Sequence, residues 1–180
     1  LAGAETVNVT ASDVASTGVT TLNAGSITSN TLANLKITTA GNIATAAVDG
    51  IFVPGAATLT TLDFSGVAGT ATIGAAQTLN MANGAVITGS TGAFTGAFSG
   101  INFTTAAGDK TVTFNGAAAG DTISFAGSTA LANINTKAGD DTIAAAAGGG
   151  VITPGTGTDG VTLAAGVDTL RYVNGDSGLT

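Results

Sequence analysis

The sequence predicts an all-β chain wound as a right-handed parallel β-helix or β-roll, a solenoid, and three observations carry that expectation. Gly, Ala and Thr supply 96 of the 180 residues. Large side chains are therefore too few to fill a wide core, whereas a thin core repeated along an axis needs only one or two small apolar residues per layer. Short β-branched segments recur with Gly, Asn, Asp and Ser between them, while Glu, Lys and Leu, the residues of helices, are scarce. The last 45 residues fall into five uninterrupted rows of nine with Gly at a fixed place.

In chain order the strand candidates are Thr6–Thr10, Lys36–Thr38, Ala57–Leu62, Thr70–Ile73, Ala85–Thr88, Thr111–Phe114 and Thr122–Phe125. Each is rich in the branched and aromatic side chains that suit a pleated surface. Asn83-Gly84, Asn115-Gly116 and Asn174-Gly175 are two-residue hairpin signals that would pair strands antiparallel. Coils demand self-similarity at a fixed period instead, and residues 136–180 supply it as TKAGDDTIA, AAAGGGVIT, PGTGTDGVT, LAAGVDTLR and YVNGDSGLT. Gly139, Gly148, Gly157, Gly166 and Gly175 hold the fourth place. Ile143, Ile152, Val161, Leu170 and Leu179 hold the eighth, and Asp141, Asp159 and Asp168 the sixth. Upstream the frame dissolves, but strands still recur roughly every 20 to 27 residues. The chain thus divides into irregular parallel β-helix coils over 1–108 and a tighter roll over 109–180, continuous with them. Phe52, Phe64, Phe94, Phe98, Phe103, Phe114 and Phe125 are expected to stack in the lumen.

The inventory excludes much chemistry. Ten Asp and one Glu stand against three Lys and one Arg, a formal net charge of −7. Nucleic acid and anionic lipid both require clustered cations, so neither is an expected partner. Seven of the Asp lie at or after position 109, which concentrates the carboxylates at one end. With no Cys, His or Trp, disulfides, thiolate zinc sites, haem ligation, His acid–base work and a serine triad are all ruled out. Sugar-cleaving β-helices work with paired carboxylates of separated pKa, and nothing marks such a pair, so no enzyme is expected. Ala144–Ile152, the longest small-apolar run, is too short to span a bilayer, and membrane insertion is not expected. No cleavable signal is visible, so export would be directed from outside this segment or by a C-terminal route. Ice binding needs a flat Thr rank at constant coil period, which Thr70-Ala-Thr72, Thr111-Val-Thr113 and Thr156-Gly-Thr158 do not provide.

The nine-residue rows resemble the G-G-x-G-x-D-x-U-x nonapeptide of RTX proteins, and Pro154-Gly-Thr-Gly-Thr-Asp-Gly-Val-Thr162 departs from it only at the first place. The resemblance implies a parallel β-roll that binds calcium between its turns. Leu1–Asp13 and Leu59–Thr70, with the Ala-Gly-Asp-Asp-Thr-Ile143 run, resemble segments of RTX-type S-layer proteins of the Caulobacter kind. That implies a type I secreted, extracellular structural protein of the cell surface. Its partners would be further copies of itself, in a calcium-dependent lattice, and a cell-surface polysaccharide. A calcium-dependent adhesin or biofilm-matrix repeat domain would share the fold and the sites.

Geometry places the ligands. One coil of two nonapeptides is 18 residues, so turns 18 apart stack at about 4.8 Å. Asp141 then lies beneath Asp159 on one edge, and Asp168 lies on the opposite edge above Gly150. Stacked carboxylates repel unless a cation lies between them, and a hard anionic oxygen suits calcium. Gly139, Gly157 and Gly166 are the turn positions where the backbone must adopt positive φ and bring carbonyls close. Asp121 is two residues out of frame and joins the set if an inserted pair bulges into a turn. The plainer alternative is that these Asp cap turn N–H groups. Asp109, Asp140 and Asp176 are expected to be solvated turn residues.

Overall fold

The computed structural model describes residues 6–11, 19–22, 32–45, 59–73, 79–98, 101–102, 110–172 and 174–179. Among them the chain is all-β, with no helix and two parallel sheets. The first sheet runs β1 (Thr6–Ala11), β3 (Asn34–Thr39), β5 (Leu59–Val67), β7 (Leu79–Thr88), β10 (Thr111–Asn115), β12 (Leu131–Asn135), β14 (Gly150–Thr153), β16 (Asp168–Leu170), with β9 (Ile101–Asn102) beside β7. The second takes the intervening strands: β2 (Val19–Leu22), β4 (Asn42–Thr45), β6 (Ala71–Ile73), β8 (Phe94–Ala97), β11 (Thr122–Ser124), β13 (Thr142–Ala144), β15 (Gly157–Thr162) and β17 (Asp176–Leu179). Successive strands thus alternate between the sheets, apart from β9, an arrangement consistent with a β-solenoid.

The hairpin signals do not make hairpins. Asn83-Gly84 lies inside β7, where Gly84 has φ +80° and the register against β5 shifts. Asn115 closes β10, and the Gly116 N–H donates to Asn135 O in the next parallel strand (2.8 Å). Asn174-Gly175 precedes β17, which pairs parallel with β15.

Register shows how the lap shortens. Thr6 pairs with Asn34 and Val112 with Ala85, but Thr111 pairs with Leu131, and Ile134 with Ile152. Strand alternation turns Val112 and Phe114 of β10 inward, and Ala132 and Ile134 of β12, with the neighbours between them outward. In the longer laps five rings fill the space between the sheets. Phe64 of β5 meets Phe94 of β8 edge-on at 5.4 Å, and Phe98 lies 6.3 Å from Phe114 and 5.0 Å from Phe125. Gly96 makes room, since a Cβ there would lie 2.6 Å from the Phe94 ring. Phe52 and Phe103 lie outside the described residues. Where strands pair at the 18-residue spacing the buried apolar residues include Ile134, Ile143, Ile152, Ala132, Ala145 and Ala146, all smaller than the rings upstream.

Candidate functional site

The corner where the first sheet hands the chain to the second holds a buried acidic column. Asp121, Asp141 and Asp159 each stand two residues before an inward aliphatic residue, Ile123, Ile143 or Val161, and the flanking registers, Thr122 with Thr142 and Thr142 with Gly160, stack them one above another. Their exposures are only 1%, 2% and 3%. Each carboxylate accepts a backbone N–H from the lap beneath. Phe94 N donates to Asp121 Oδ1 (2.8 Å), Asp121 N to Asp141 Oδ1 (2.6 Å) and Asp141 N to Asp159 Oδ1 (3.0 Å). One oxygen of each Asp therefore ties neighbouring laps together, as a charge-assisted bond to an N–H that the ladder leaves over.

The second oxygen is the unusual part. Asp121 Oδ2 and Asp141 Oδ2 are buried without a well-aligned hydrogen bond, with only the Ala117 backbone near the Asp121 carboxylate and the Thr136 hydroxyl near that of Asp141 as weaker compensation, a costly state for an ionised carboxylate. Burial pushes Asp121 up to about 6, helped by the charge of Asp141 and opposed by the Phe94 N–H. Burial likewise pushes Asp141 up to about 6, opposed by the Asp121 N–H and Thr136 and helped by the charge of Asp159. The Thr136 hydroxyl beside Asp141 donates to Pro154 O (2.6 Å).

Asp121 enters the column despite being 20 residues from Asp141. The extra pair is absorbed after β11, because Ser124 to Leu131 is two residues longer than the equivalent step from Ala144 to Gly149. Asp168 stands apart in the first sheet, paired with Gly150. Its Oδ2 accepts the Ala164 N–H at 3.4 Å, closing its own turn, while its Oδ1 is buried without a partner. Asp140 is exposed but bonded, accepting the Thr158 N–H one lap on (2.9 Å). Asp109 lies outside the described residues, and Asp176 is placed in β17.

The turns beside the column need glycine for contact as well as for conformation. Gly139 has φ +113° and Gly157 φ +142°, and a Cβ on Gly157 would run into the Gly139 carbonyl oxygen. At Gly166 the φ is ordinary, but a Cβ would strike Gly149 N. Lys137 takes φ +74°, where the neighbouring lap has Gly155 at φ +96°.

The spacing argument missed the rest of this bonding system. Ala71 N donates to Ser90 Oγ (3.3 Å), Thr70 N to Asn42 Oδ1 (2.8 Å) and Thr111 N to Asn83 Oδ1 (2.8 Å). Among the described residues, side-chain oxygens thus bridge neighbouring strands upstream of the column too, and their irregular spacing left no periodic signal to find.

Three or more His, Cys, Asp or Glu side chains do not converge on one point among the described residues. The acids come one per lap. The donors in this column that no aligned hydrogen bond occupies are two carboxylate oxygens, hard oxygen ligands of the type that calcium takes. No protein-family profile, curated protein or solved structure matches the chain.

Proposed function

We propose that the two sheets are faces of one right-handed β-solenoid, and that the protein is a non-catalytic, calcium-stabilised structural component which self-assembles into a lattice on a bacterial cell surface. The observation that carries this reading is the buried Asp121–Asp141–Asp159 column with two unpartnered oxygens. A column of this kind destabilises the bare protein at neutral pH and becomes favourable once a divalent ion compensates its charge. Asp121, Asp141 and Asp159 would hold the ion, and it would supply positive charge between laps. Asp168, with its own orphaned oxygen on the other sheet, would serve a lesser site. The conformation of Gly139 and Gly157, and the close approach at Gly166, suit turns whose carbonyls would complete the coordination.

Self-assembly would draw on exposed apolar surface, since Leu163 is 53% exposed, Val167 87% and Tyr172 54%.

Calcium titration followed by thermal melting and negative-stain imaging tests the reading. The melting temperature should rise with the logarithm of free calcium, and ordered sheets should appear. Asp159→Ala should abolish most of the thermal response. A wild-type response that survives this substitution contradicts the column site, and a chain that stays monomeric in saturating calcium contradicts the lattice.

A further inference from the structure

The outer face of the first sheet carries a groove of about 340 Å³ across β10, β12 and β14, near the end of the stack. Its polar lining is Thr113, Asn115, Asn133, Asn135, Thr153 and Arg171. Register makes these two parallel rows. Asn115 pairs with Asn135 and Asn135 with Thr153, and Arg171 follows Leu170, the partner of Ile152. Thr113 pairs with Asn133 in the second row. Neighbouring members of a row are therefore about 4.8 Å apart.

The groups in this groove are largely uncommitted. Asn133 Oδ1 accepts the Val151 N–H (3.3 Å). The side chains of Asn115, Asn135 and Arg171 make no hydrogen bond or ion pair among the described residues. Arg171 is the chain's one arginine and the one charged residue of the lining, and no carboxylate joins it there. The nearest acid along the same row, Asp63, sits beyond Thr88 and is paired with Lys36 at 3.0 Å. An isolated guanidinium on a chain of net charge −7 thus closes a track of amides and hydroxyls.

We infer that this groove binds a carboxylate-bearing saccharide, with a uronate-type carboxylate on Arg171 and ring hydroxyls on the Asn rows. The guanidinium fork matches a carboxylate with two parallel N–H bonds. Each Asn amide offers two donors and an acceptor oxygen, the mixture that sugar hydroxyls require. The volume lies at the low end of small-molecule sites, about 300–1,000 Å³, which suits one or two sugar rings rather than a buried chain. The inference goes beyond the lattice reading and does not rest on calcium, because the acidic column lies in the corner between the sheets and the groove on an outer face.

The test is an NMR titration of the full chain in calcium-free buffer with trimers of galacturonate, glucuronate and mannuronate. Neutral galactose trimer and acetate serve as the comparison probes. Shifts should concentrate on the Asn115 and Asn135 side-chain amides and on Arg171 Nε. Arg171→Gln should weaken binding at least about tenfold, and Asn135→Ala severalfold. Arg171→Lys should fall between wild type and Arg171→Gln, because a lysine keeps the charge but loses the fork. No groove shift with any uronate, or affinity unchanged by Arg171→Gln, overturns the inference. Acetate binding as tightly as the trimers would overturn its saccharide part, and the galactose trimer binding as tightly would overturn its carboxylate part.

Discussion

Replacing Asp141 by Asn separates the two jobs its carboxylate performs. The amide oxygen can keep accepting the Asp121 N–H, which reaches Oδ1 at 2.6 Å. The other oxygen becomes an NH2, and the Thr136 hydroxyl beside this side chain, which donates to Pro154 O, retains lone pairs to accept from it. The negative charge disappears. The native carboxyl is held at about 6, roughly two units above the ordinary aspartate value of about 3.9, and each unit is worth about 1.4 kcal/mol. A folded-state pKa above the unfolded one means that the folded chain holds the extra proton. The penalty is therefore absent below about pH 4, grows as pH rises and is complete above about 6. In EDTA at pH 7.5, Asp141→Asn should stabilise the chain by about 2–3 kcal/mol, a rise of roughly 5–10 °C in Tm at this chain length. At pH 4 the two proteins should melt nearly together. Thermal melts by circular dichroism at both pH values read this directly. A variant less stable than wild type at pH 7.5 without metal would refute the claim that the buried charge is uncompensated.

Wild-type protein in EDTA should lose stability between about pH 4 and 6, because Asp121 and Asp141 share the upward shift. Calcium should flatten that decline above pH 6 and do little below pH 5, where protons compete for the same oxygens; melts across the pH range with and without calcium check both halves. Lys137→Gly should stabilise by about 0.5–1 kcal/mol in urea unfolding, because Lys137 occupies positive φ at an exposed turn. Gly157→Ala should destabilise by more than about 2 kcal/mol in the same assay, since its Cβ meets the Gly139 carbonyl oxygen and its φ is +142°.

The parts of the fold legible in the sequence were those with a local or strictly periodic signature. Thr111–Phe114 alternates side chains inward and outward, and it lies in β10. The nine-residue frame set Ile152 under Leu170 and Asp141 under Asp159, because 18 residues per lap leaves no freedom in register. β12, Leu131–Asn135, escaped because Ala132 and Asn133 lower its β-propensity, while the inward placement of Ala132 and Ile134 depends on neighbours above and below. Asn83-Gly84 shows the opposite failure, a strong local hairpin signal overridden by parallel pairing on both sides of β7. For the acids, the spacing indicated which carboxylates stack but not what each oxygen does. That Oδ1 ties laps together while Oδ2 stays orphaned depends on the corner geometry, including Thr136 beside Asp141. Asp140, one residue away, shows how narrow that distinction is, since it too accepts a lap-to-lap N–H, from the lap above instead of the lap beneath, yet is exposed.

A crystal structure of the calcium-saturated protein, with an anomalous difference map at a long wavelength, addresses the central claim most directly. The account predicts parallel laps and a calcium peak within ligand distance of the orphaned carboxylate oxygens of the Asp121–Asp141–Asp159 column. Antiparallel hairpins in residues 136–180, or parallel laps whose column carries no peak at saturating calcium, would contradict it.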